Sequence, residues 1–169
     1  MLPITDQTID LVNDRIQQME ETQIGKVWEE FAREQPALVG YVLGESRELK
    51  LPDAREDVAY VLTVILLSFR EKSSRLPAVT EKEFEQAFNQ EFDEMEEVFH
   101  EGFDETHAMA IIDSFCQPQL LQFAAATIYS DDGEEGEDSN FTEEEAGLFI
   151  IIFKTAIALL DQKASGQAN

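Results

Sequence analysis

The chain has 169 residues, 36 acidic and only 12 basic, for a formal net charge of −24, and 43% of its residues are apolar. That length suits one domain with a sizeable core, and that apolar share excludes a disordered acidic chain. The charge excludes nucleic acid and anionic lipid surfaces as natural partners and favours a basic protein, a basic peptide or a cation.

The opening stretch, MLPITDQTIDLV, has no basic region ahead of an apolar run and does not read as a signal peptide. Ile9, Val12, Ile16 and Met19 recur every three or four residues, which predicts a first helix from Thr5 to Met19, with Thr5 or Asp6 as its cap. A second amphipathic segment runs from Thr22 to about Arg33, with Ile24, Val27, Trp28 and Phe31 inward. Pro36 interrupts it or opens the short apolar helix PALVGYVLGES, so one bent helix and two separate ones are both open.

LPDAREDVAYVLTVILLSFREK is apolar on nearly all sides from Val58 to Phe69, as a central helix would be. Asp53 and Glu56 have capping-box spacing. Its β-branched residues leave a strand as the competing reading, but the length and the acidic first turn favour a helix. At 12 residues, with Tyr60, Thr63 and Ser68 inside it, the Val58–Phe69 run is too short to span a bilayer.

After the loop SSRLPAV, Thr80 and Glu83 form another capping box. Phe84, Phe88, Phe92, Met95, Phe99 and Phe103 then repeat by fours and threes, a Phe-rich core stripe. THAMAIIDSFC continues as helix, and Pro118 opens PQLLQFAAATIYS at its first turn. Thr142 and Glu145 make a third capping box ahead of AGLFIIIFKTAIALLDQK. No internal repeat stands out at a fixed period, and no hairpin turn joins alternating strands. The expectation is an all-α compact bundle of about six or seven helices, with residues 1–163 as a single helical domain and 164–169 as a frayed tail.

Charge is divided unevenly. Residues 1–82 hold 15 acids and 10 bases, whereas residues 83–153 hold 20 acids and no Lys or Arg. The densest run is Ser130–Asn140, with Asp131, Asp132, Glu134, Glu135, Glu137 and Asp138. Such a run is usually a solvated surface; its sharper reading is a docking surface for a basic partner. It is not an EF-hand: with Gly136 at position 6 of that loop, position 3 is Gly133 and position 12, which needs a bidentate Glu, is Thr142.

Two histidines, His100 and His107, lie seven residues apart beside Glu96, Glu97 and Asp104. Glu97–His100 has the Glu-x-x-His spacing of carboxylate-bridged di-metal bundles, and Asp104–His107 is an Asp variant of it. Glu97, His100, Asp104 and His107 are therefore the candidate ligands of a metal-carboxylate enzyme, against the plainer reading of boundary histidines hydrogen-bonded to acids. Cys116, the single cysteine, cannot form an internal disulfide, which fits a reducing compartment, and it reads as a buried structural thiol in acidic surroundings. No Ser-centred elbow, Gly-rich phosphate loop, CxxC pair or HExxH run is present, and no cofactor is expected. The sequence favours a cytoplasmic protein that works by docking a basic protein, with the metal-carboxylate enzyme as the alternative. Self-association is open to it only through the less charged N-terminal half.

Overall fold

The computed structural model describes residues 3–100, 105–129 and 140–166. These form eight α-helices: α1 (Asp6–Gln18), α2 (Glu21–Glu34), α3 (Pro36–Ser46), α4 (Pro52–Lys72), α5 (Glu81–His100), α6 (Glu105–Ser114), α7 (Pro118–Ile128) and α8 (Glu143–Ala164). No strand occurs among the described residues, so the chain is an all-α bundle, with one or two helices more than the periodicity predicted. One extra arises at Pro36. A proline pushes the residue before it out of the helical region, and Gln35 lies at φ −129°, ψ 59°, so α2 and α3 are distinct. α5 and α6 stand on either side of residues 101–104, which lie outside the described residues. None of the described helices is long and apolar enough to cross a membrane.

The helix starts follow local chemistry. Thr5 caps α1 by accepting from the Thr8 amide, and the reciprocal boxes at Thr80/Glu83 and Thr142/Glu145 are both formed. The Asp53/Glu56 box is not. Pro52 takes the first helical position of α4, Leu51 becomes the cap residue, and Asp53 falls inside the first turn. Arg55 reaches back to the Leu49 carbonyl instead, at 3.2 and 2.8 Å. α2 begins one residue earlier than its pattern indicates, because Glu20 and Gln23 form a capping box of their own.

α4 and α8 are the core. Every residue from Val61 to Phe69 is buried, as are Phe149, Ile152, Phe153, Ala156, Ile157 and Leu160 on α8. Burying each such aliphatic or aromatic side chain stabilises the fold by about 1.5–3 kcal/mol. The Phe stripe of α5 is buried unevenly, with Phe84 and Met95 inside and Phe92 between them open. Phe84 is buried against Tyr41, with ring centroids 4.6 Å apart, Phe88 is half-buried, and Phe92 is 41% exposed. Phe103 lies outside the described residues.

The helices repeat one topology. α1 packs on α4 as α5 packs on α8; α3 packs on α4 as α7 packs on α8; α2 packs on α3 as α6 packs on α7. The cross-contacts match as well, α1 with α7 and α5 with α3, while α4 and α8 meet at the centre. The exception is α4 against α7, which α8 and α3 do not match. Each half contains a Gln-Pro pair that opens its third helix, and Gln117, at φ −131° and ψ 73°, shares the backbone form of Gln35. Both glutamines are buried, and each clasps the opposite half. Gln117 Oε1 accepts from the Ile4 amide at 2.7 Å, just ahead of the Thr5 cap of α1. Gln35 Oε1 accepts from the Val79 amide at 2.9 Å, just ahead of the Thr80 cap of α5. In the central helices Thr63 and Thr155 each donate to the carbonyl four residues back, both at 2.7 Å. The spacing between matched residues grows from Thr5/Thr80 to Gln35/Gln117 to Thr63/Thr155, which is why no fixed period stands out in the sequence.

Candidate functional site

The last two turns of α5 run antiparallel to the first turns of α8. Two ion pairs zip this seam further along: Lys163 Nζ lies 2.9 Å from Glu83, and Lys154 pairs with Glu91 while sitting 5.5 Å from the Phe115 ring centroid. Lys154 and Lys163 are thereby drawn away from the open end of the seam.

That open end is a cleft of about 870 Å³, lined by Phe92, Glu96 and His100 of α5, Tyr129 at the end of α7, and Glu143, Glu144, Gly147, Leu148 and Ile151 of α8. The carboxylates are there for a local reason: acids favour the positive end of a helix, and Glu143, Glu144 and Glu145 fill the first turn of α8. Glu145 is tied into the capping box, so Glu143 and Glu144 are left to face the cleft. The apolar part is unusually open for such large side chains, Phe92 being 41% and Tyr129 48% exposed. Partial burial and then the neighbouring Glu143 carboxylate push the Tyr129 phenol above its ordinary pKa. No Lys or Arg lies among the described residues lining the cleft. Chemically, it presents an aromatic and aliphatic floor under fixed negative charge, which attracts an ammonium or guanidinium carried on an apolar stem.

The residues singled out by sequence are only partly brought together here. His100 lines the cleft, Glu97 is exposed next to Glu96 on α5, and His107 is exposed on α6. Asp104 lies outside the described residues. Among those described, no group of three or more His, Cys, Asp or Glu side chains could hold a metal ion. Asp131, Asp132, Glu134, Glu135, Glu137 and Asp138 also lie outside the described residues. The stretch that carries them joins Tyr129, in the cleft wall, to Asn140, three residues before Glu143.

Sequence reasoning missed Phe92, Tyr129, Leu148, Glu143 and Glu144 as site residues. The signal that could have found them is the coincidence of one end of the Phe stripe with the base-free block. Cys116 is a correction: the residue is exposed rather than buried. Partial burial and then the Asp161 carboxylate push its thiol pKa up to about 11, which disfavours the thiolate at neutral pH. Comparison with known proteins finds no matching family model, curated protein or solved structure.

Proposed function

We propose that this protein is an interaction module that docks a basic, partly apolar segment of another protein in the cleft between α5 and α8. The observation that carries this reading is the pairing of exposed Phe92 and Tyr129 with Glu96, Glu143 and Glu144, in a block of sequence without a single Lys or Arg from residue 83 to 153. The field of that block draws a basic segment in, and the apolar floor holds what arrives. In sequence, the acidic run from Asp131 to Asp138 lies between Tyr129 and Glu143.

Fluorescence anisotropy with a labelled Lys/Arg-rich peptide containing Leu and Trp, measured at low and high salt, tests it. Binding is expected to weaken steeply with salt. It is also expected to fall in a Glu96→Gln, Glu143→Gln, Glu144→Gln variant and in an Asp131→Asn, Asp132→Asn, Glu134→Gln, Glu135→Gln variant, with the helical spectrum retained in both. Binding that is unchanged in both variants would overturn the reading.

A further inference from the structure

The two halves of the bundle differ in one respect that bears on what the cleft accepts. In the first half, Ile24, Val27 and Trp28 of α2 share a gap of only about 190 Å³ with Ile16, Met19, Ala59, Tyr60 and Thr63, beside the seam between α1 and α4. In the second half the matching space is larger: a cleft of about 870 Å³ lies between α5 and α8, and no described α6 residue lines it. The two seams overlap at one matched position. Ala59 and Ile151, each accepting from the threonine one turn later, line the small gap and the large cleft respectively.

Resting on the docking reading above, we infer that the occupant of the cleft is an amphipathic α-helix of another protein, laid on the α5–α8 seam as α2 lies beside the α1–α4 seam. The seam geometry sets its apolar face. From Phe92 to His100 the open stretch is about 12 Å long at 1.5 Å per residue, roughly two helical turns, so the occupant presents apolar side chains at i, i+3, i+4 and i+7. Charge sets its flanks. In the first half α2 is the acidic partner: Arg70 of α4 holds Glu30 at 3.0 Å and Glu34 at 3.1 Å. In the second half the polarity is reversed, because the walls carry Glu96, Glu143 and Glu144, and the occupant supplies the Lys and Arg.

The test uses the full chain and three labelled 16-residue peptides. One carries Leu and Trp in a helical stripe with Lys elsewhere, the second is a scramble of the same composition without the stripe, and the third keeps the stripe with Glu in place of Lys. The striped basic peptide is expected to bind at least ten-fold more tightly than the scramble and to gain helical circular dichroism when bound, while the acidic one does not bind. Leu148→Lys is expected to weaken binding at least ten-fold. Tyr129→Ser, at a half-exposed position, is expected to do the same and keeps the test intact if the first variant misfolds. Equal binding of stripe and scramble, lost in the glutamate-neutralised variant, would leave the docking reading standing and overturn the helical occupant. Failure of both basic peptides to bind would overturn both. Sedimentation showing a dimer that Leu148→Lys or Tyr129→Ser dissolves would assign the cleft to a second copy of the chain and overturn the inference.

Discussion

Replacing Gln117 with leucine isolates the clasp between the two halves. The side chain is 1% exposed; its Oε1 accepts from the Ile4 amide at 2.7 Å and its Nε2 donates to Asp161 at 2.8 Å. Leucine has a similar size and neither capability. Ile4 is fully buried, so its amide is left without a partner at a cost of about 1–3 kcal/mol. Asp161 is only half-buried and regains water, so the lost charge-assisted bond adds about 1 kcal/mol rather than the upper range for ionised partners. The total, about 2–4 kcal/mol, is a large part of the 5–15 kcal/mol typical of a whole domain. With a urea slope of about 2 kcal/mol/M, the unfolding midpoint followed at 222 nm should fall by about 1–2 M. Gln35→Leu strips the Val79 amide and the Pro77 carbonyl in the same way and should cost a similar amount. The two glutamines share no partner, so the double variant should be additive within about 0.5 kcal/mol. A midpoint shift under about 0.3 M for either single variant would refute the reasoning, since a buried amide would then have lost its acceptor at no cost.

Two further outcomes follow from the site. Cys116, exposed yet held near pKa 11 by partial burial and Asp161, should react slowly with iodoacetamide at pH 8 and gain speed only as pH approaches that value. Asp161→Asn should shift the rate profile to lower pH, and an unshifted profile would show that the carboxylate has no part in it. The raised thiol pKa also fixes a sign: its contribution to stability is fully present below the ordinary cysteine value and is lost as pH rises through about 11. Metal analysis of untagged protein addresses the carboxylate–imidazole alternative. The docking reading expects no stoichiometric iron, manganese or zinc, and a bound metal that disappears in His100→Ala would reverse it.

The fold was legible because its signals are local. The three- and four-residue spacing of Ile9, Val12 and Ile16, the apolar run Val58–Phe69, and the threonine boxes at Thr80 and Thr142 each act within a turn or two of chain. The site was not, because it is made by the ends of three helices distant in sequence. Phe92 belongs to the same stripe as buried Phe84 and Met95, and nothing in their spacing says that it alone of the three is left exposed. Glu143 and Glu144 have a sufficient local explanation as first-turn acids, which conceals their second position in the cleft wall. The Gln-Pro pairs were visible as letters, but their meaning lies in amides Ile4 and Val79, which periodicity does not reach.

The crossed clasp ties distant stretches of the chain together: the Ile4 amide is satisfied by a side chain 113 positions later. The same exchange means that a nick in the SSRLPAV connection need not part the fragments: each would still carry the glutamine that completes the other's beginning.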